Sequence, residues 1–197
     1  MALTKENLEK LYTTEKRSVS VIATRLRCSE HKINYWLSVF KIPKRSISES
    51  VYLYHNPLGD PFRVITPQTI DEAFLFGMGI GLYWGEGTKS DKMSVRLGNT
   101  DPKLIKKFIE FLVKICGIRQ EKLRFGLQIF SDMSPKNALG FWQNELGTPA
   151  SQFQKVIVTP ARGLGTYRQK TQHGVLTVYF GNRKLRDIIC KMIENVK

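Results

Sequence analysis

The chain has 197 residues, 42% of them hydrophobic, and carries a net charge of +14. That apolar content excludes wholesale disorder, and no apolar run is long enough to span a bilayer. Cys28, Cys116 and Cys190 are odd in number and far apart, which excludes a disulfide framework and a CxxC zinc site. The positive balance calls for a polyanion, with nucleic acid the first choice and an anionic membrane or an acidic protein as alternatives. No apolar core follows the first charges of Met1-Ala-Leu-Thr-Lys-Glu-Asn7, so no signal peptide is expected there, and the chain reads as cytoplasmic with reduced thiols.

Residues 3–40 carry three helical patterns. Leu3, Leu8, Leu11 and Tyr12 mark the first. Ser18 reads as the N-cap of a helix from Val19 to Leu26, and Arg27-Cys28 as a brief turn. Ser29 then caps a helix from Glu30 to Phe40, with Ile33, Trp36, Leu37 and Phe40 on one face. Two short helices with a tight turn and a small Ala23 suggest a helix-turn-helix, and Ser18–Leu37 resembles the winged or resolvase-type version. That resemblance implies that the second helix enters the major groove. Its exposed residues are Glu30, His31, Lys32, Asn34 and Tyr35, of which Lys32, Asn34 and Tyr35 are the candidate DNA contacts. A three-helix protein-interaction module is the plainer alternative. Lys44 and Arg45 lie in a basic exit suited to phosphates, and the turn-rich stretch 46–67 reads as a linker.

Thr69 or Asp71 starts a helix that runs to Glu86, although Gly77, Gly79, Gly81 and Gly85 lie inside it. Each interior glycine costs about 0.8–1 kcal/mol relative to alanine. Gly77, Gly81 and Gly85 are four apart and line one stripe, where a second backbone could approach closely. Glu86 ends the helix where the macrodipole disfavours an acid, so a cation is expected beside it.

Beyond Gly87 the order is strand, helix, strand, helix, two strands, helix. Met93, Val95 and Leu97 alternate with Lys92, Ser94 and Arg96. Asp101-Pro102 opens a helix with Leu104, Ile105, Phe108, Phe111, Leu112 and Ile115 inward, ended by Gly117. In the strand from Lys122 to Phe130, Arg124 and Gln128 oppose Leu123, Phe125, Leu127 and Ile129. Ser134-Pro135 starts a helix ended by Gly147. Strands at Gln154–Thr159 and Val175–Phe180 flank a basic loop with Arg162, Arg168 and Lys170, and an amphipathic helix closes the chain. The expected class is therefore α+β with a half-exposed sheet, preceded by a small all-α domain: 1–45 helix-turn-helix, 46–67 linker, 68–197 core.

Gly79-Ile-Gly-Leu-Tyr-Trp-Gly-Glu-Gly87 resembles the LAGLIDADG motif of homing endonucleases. Gly81, Gly85 and Gly87 fall on its small positions and Glu86 on its metal-binding acid, while Trp84 replaces a second, less essential acid. The resemblance implies a LAGLIDADG-like core and an interface of two such helices centred on Gly77, Gly81 and Gly85. It further implies a Mg²⁺ site at Glu86 and Gly87, with Glu86 catalytic in phosphodiester hydrolysis. The sheet would straddle double-stranded DNA, with Lys89, Lys92, Ser94, Arg96, Arg124, Gln128, Arg162, Arg168 and Lys170 as contacts. Ala138–Gly147 does not repeat the motif, because Leu146 replaces the glycine after its acid. With one motif per chain, a homodimer is expected. No small-molecule cofactor and no membrane partner are expected. Gly77–Gly81 is not a dinucleotide fingerprint, and His31, His55 and His173 lack metal spacing. A Mg²⁺-dependent site-specific DNA endonuclease is the leading expectation. A non-cleaving transcriptional regulator on the same fold is the alternative, and a basic RNA-binding or structural protein a third reading.

Overall fold

The computed structural model describes residues 3–161 and 171–195. The chain divides into two compact units, Met1–Pro61 and Phe62–Lys197, each with its own core.

In the first unit, α1 (Lys5–Glu9) widens into a π-helical turn, Lys10–Thr14, followed by α2 (Val19–Arg25) and α3 (Glu30–Val39). Thr4, Ser18 and Ser29 cap the three helices, each side chain accepting a backbone N–H of the first turn. The turn between α2 and α3 closes through the Cys28 N–H on the Ala23 carbonyl (3.0 Å), with Arg27 at φ +51°. Leu8, Leu11, Ile22, Ile33 and Leu37 are fully buried between these helices.

The stretch expected to be an irregular linker instead forms α4 (Ile47–His55), capped by Ser46. Its turn-forming residues begin only at Asn56, so the serines before it act as a cap and polar face rather than as loop. Ile47, Val51, Tyr54 and Leu58 remain exposed.

The second unit begins at Phe62 rather than at 68. Phe62 is buried in its core, and the Arg63 and Ile65 N–H groups donate to the Cys116 (2.8 Å) and Ile115 (2.9 Å) carbonyls. A fragment starting at Phe62 is expected to fold alone. One starting at Gln68 should be less stable by about 2–4 kcal/mol, because it loses a buried aromatic side chain and two backbone hydrogen bonds. Urea unfolding of the two fragments measures the difference.

After Phe62 come α5 (Ile70–Glu86), β1 (Val95–Asn99), α6 (Pro102–Glu110) running into a wide turn at Phe111–Ile115, β2 (Arg124–Phe130), α7 (Pro135–Leu146), β3 (Ile157–Thr159), β4 (Val175–Phe180) and α8 (Arg183–Glu194). This is the expected α+β order, and β3 is shorter than expected. The sheet order is β1-β4-β2-β3, with β2 and β3 parallel and the other pairs antiparallel. Val95, Leu97, Phe125, Leu127, Ile129, Leu176, Val178 and Phe180 are all buried. The other face carries Arg96, Arg124 and Gln128 exposed and Thr177 and Tyr179 half-buried. No described helix is long and apolar enough to cross a membrane.

Candidate nucleic-acid interface and helix-end carboxylate

The glycine-rich helix α5 is secured at its start by a reciprocal cap. The Glu72 N–H donates to Thr69 Oγ1 (3.2 Å), and Glu72 Oε2 accepts from the Thr69 (3.3 Å) and Gln68 (2.7 Å) N–H groups. Its inner face buries Leu75, Ile80 and Tyr83, and the Tyr83 ring stacks on Phe108.

The four glycines separate into two classes. At Gly79 a Cβ would lie 2.1 Å from the Phe111 ring, so the fold of the single chain requires glycine there. At Gly77, Gly81 and Gly85 an added Cβ would meet nothing within 4 Å. The stripe is open, and exposed Ile70 (88%), Phe74 (64%) and Trp84 (44%) share the outward side of the helix with it. Among the described residues no close packing offsets the helix-propensity cost of these three glycines.

At the other end of α5 a lysine of the same chain caps the last carbonyls. Lys89 Nζ donates to the Trp84 (2.5 Å) and Tyr83 (3.4 Å) carbonyls, and the Gly87 N–H donates to Tyr83 O (2.9 Å). Lys89, expected at DNA, thus caps the helix and relieves the unfavourable dipole at Glu86. Replacing Lys89 by methionine keeps the stem and removes the charge. It should destabilise the second unit by about 1 kcal/mol, read by urea denaturation.

Gly87 is also fixed by close approach: a Cβ there would lie 2.3 Å from Tyr83 O. Gly87 opens the loop that leads to β1 and bridges Leu97 of that strand, with the Thr88 N–H donating to Arg96 O (2.9 Å). Arg186 of α8 holds the same loop through an Nη2 bond to Lys89 O (2.5 Å). Beneath it, burial pushes the Tyr83 hydroxyl up to about 12, so it stays neutral. Glu86 is left exposed at the end of the open stripe. Among the described residues no group of three His, Cys, Asp or Glu side chains converges as a metal site.

On the sheet, the register places Arg96, Tyr179 and Arg124 in one row across β1, β4 and β2. Gly98, Thr177 and Gly126 form the next, and Val175, Gln128 and Ile157 the one after. The two arginines differ. Arg96 Nε meets Asp91 Oδ2 (2.7 Å) and Ser94 Oγ (2.7 Å), so its charge is neutralised in place. Arg124 instead donates through Nη1 to the Glu121 (2.9 Å) and Leu123 (2.8 Å) carbonyls, and no carboxylate among the described residues pairs with it. Hydrogen bonds from the Met93 N–H and the Ser94 hydroxyl, and the nearby Arg96, hold the Asp91 carboxyl below its usual range. This turn at Asp91 corrects the expected alternation: Ser94 is 3% exposed and Met93 65% exposed, so Ser94 is no DNA contact. Lys92 is exposed.

No family model, curated protein or solved structure matches the chain.

The first unit presents Lys32 and Tyr35 outward on α3. Asn34 folds back, its Nδ2 donating to Glu30 O (3.1 Å), which occupies one of the two N–H donors of its amide. Lys44 is exposed, but Arg45 is committed to the fold. Its guanidinium lies 4.0 Å over the Tyr12 ring and donates to the Lys16 (3.0 Å) and Arg17 carbonyls, while its N–H donates to the Tyr12 hydroxyl oxygen (3.0 Å). Arg45 therefore closes the helical unit instead of contacting phosphate. Arg162, Arg168 and Lys170 lie outside the described residues. Sequence reasoning missed Thr177 and Tyr179 on the open face. The alternation of Thr177 and Tyr179 with Leu176, Val178 and Phe180 was the signal for them.

Proposed function

We propose that this chain binds double-stranded DNA as a homodimer packed through the open side of α5, and that it is a Mg²⁺-dependent, site-specific endonuclease with a LAGLIDADG-like core. The observation that carries the reading is the stripe Gly77, Gly81, Gly85, where an added Cβ meets nothing within 4 Å among the described residues, and which ends at an exposed Glu86. Two copies meeting there bury Ile70, Phe74 and Trp84 and bring two Glu86 carboxylates to the same end of the interface. Those carboxylates, with the adjoining Gly87 backbone, would hold Mg²⁺, which when bound supplies Lewis-acid activation of a phosphodiester. Lys89 neutralises the helix end behind Glu86. The sheet face contributes Arg124, Gln128 and Lys92 toward the duplex, and the helix-turn-helix adds Lys32 and Tyr35. The free thiols suit a cytoplasmic setting.

A non-cleaving regulator is the second reading. It is favoured by Lys89, which already satisfies the helix-end carbonyls and leaves Glu86 no electrostatic need for a metal. Selection of a target from a random duplex pool, followed by incubation with Mg²⁺, separates the two: the endonuclease nicks the selected duplex and the regulator only holds it.

A further inference from the structure

Helix α4 (Ile47–His55) stands apart from the core it follows. None of its residues is buried, and none joins the core of the first unit. A helix this short is marginal in water by itself, because most helical stability comes from packing an apolar face. The apolar face of α4 is bare. Ile47, Val51 and Tyr54 follow each other by four and then three residues, the spacing of a helix–helix seam, and are 85%, 50% and 79% exposed. Leu58, in the turn beyond, is exposed as well. Building on the homodimer reading above, we infer that this seam packs against the same seam of the second copy, so that α4 is an arm that pairs the two first units.

Charge decides what covers the seam. Ser46–Asp60 contains no lysine or arginine, in a chain of net charge +14. DNA and anionic membranes are held by cations, and this stretch offers them none. Its acids do not suit a basic partner on the seam either. Glu49 lies on the side of the helix away from the seam, and Asp60 accepts the Tyr52 hydroxyl (2.8 Å). The residues flanking the seam are Ser48, Ser50 and His55, so no lysine, arginine or carboxylate meets its own image across a twofold axis. A neutral apolar seam of this kind is self-complementary, in a chain whose overall charge drives two copies apart.

The attachment of α4 gives the pairing a consequence. Ser46, whose Oγ accepts the Glu49 N–H (3.2 Å), follows Arg45 directly. Arg45 is pinned to Tyr12, Lys16 and Arg17 of the first unit. Joining two arms therefore sets the separation of the two first units, and with it the spacing of the half-sites they engage. The seam is short for a dimer contact of its own. It acts as a second contact, formed at high effective concentration once the α5 stripes have met.

The test uses the full chain. Hydrogen exchange of the wild type is followed through a dilution series in which sedimentation equilibrium gives the dimer fraction. The α4 amides should exchange at least about tenfold more slowly in the dimer than in the monomer. Val51→Cys puts a thiol in the middle of the seam, where it meets its own image in either helix orientation. Mild oxidation should link this dimer beyond the level that wild-type Cys28, Cys116 and Cys190 give. The double substitution Val51→Ser with Tyr54→Ser alters exposed side chains only. It should melt as the wild-type monomer does and raise the dimer dissociation constant at least about tenfold. If it does not fold, the exchange and the crosslink decide. Equal protection of α4 in monomer and dimer places the seam on its own chain. Protection that needs added DNA duplex or anionic vesicles assigns it to those. Protection in the dimer without a Val51→Cys link puts it on another surface of the copy. Each of these overturns the inference and leaves the α5 pairing standing. A dimer that Gly81→Leu dissociates and the folded double-serine variant does not weaken has the same meaning. If the wild type is monomeric at every concentration, the inference and the homodimer reading fall together.

Discussion

Gly81→Leu is expected to produce a folded monomer that melts higher than the wild-type chain would as a monomer and no longer pairs with its copy. Among the described residues a Cβ at Gly81 has nothing within 4 Å, and the position is exposed, so a longer side chain can extend into solvent. Leucine is also the better helix former by about 0.8 kcal/mol. In the proposed dimer the same side chain stands where two backbones approach, and overpacking of that kind costs at least about 1–3 kcal/mol at each copy. Gly79→Leu is the control. Its Cβ would collide with the Phe111 ring, so it should unfold the second unit rather than dissociate two intact ones. Sedimentation equilibrium reads the assembly and thermal melting the fold. A Gly81→Leu protein that sediments as a stable dimer removes the stripe from the interface and with it the basis for paired Glu86 carboxylates.

The distinction between Gly79 and its three neighbours shows where sequence reasoning reached and where it stopped. Caps and periodicity are local, so Ser18, Ser29, Thr69, Asp101 and Ser134 mark helix starts in the sequence and do so in the structure. The order of strands and helices followed from the same local signals. What spacing does not contain is which side of a helix the rest of the chain covers. A stripe four residues apart was visible, but that its outward side is open required Phe111 to be placed against Gly79 instead. Long polar side chains were the other blind spot. Lys89 returns to carbonyls of the preceding helix, and Arg45 reaches Lys16 and Arg17, so both bind backbone carbonyls, although the resemblance implied Lys89, and the basic exit suggested Arg45, as DNA contacts. Ser94 was misjudged because the Asp91 turn shifts the phase of alternation just before the strand begins. The helix within 46–67 was masked by serines and by the prolines and glycine that follow it.

Glu86→Gln decides between cutting and mere binding. The substitution keeps the shape of an exposed side chain at the end of α5 and leaves the Lys89 cap intact, because Lys89 bonds the Tyr83 and Trp84 carbonyls and not the carboxylate. Fold and assembly should therefore be unchanged, and any loss belongs to the carboxylate itself. For an endonuclease, Mg²⁺-dependent nicking of the selected duplex should fall by roughly 100-fold or more, since removal of a direct ligand costs at least as much as removal of an outer-sphere partner. Binding in chelator should be retained or tightened, because a negative charge near the phosphates has been removed. For a regulator, wild type and variant bind alike and neither nicks DNA. Lys89→Met supplies the cross-check: it perturbs the helix end without touching the carboxylate, so it should lower stability more than it lowers nicking. Wild-type protein that holds a defined duplex tightly yet leaves it intact in both Mg²⁺ and Mn²⁺ would sink the endonuclease reading. Glu86 would then be a solvated acid beside a lysine-capped helix end, and the open stripe would serve only to pair two DNA-binding chains.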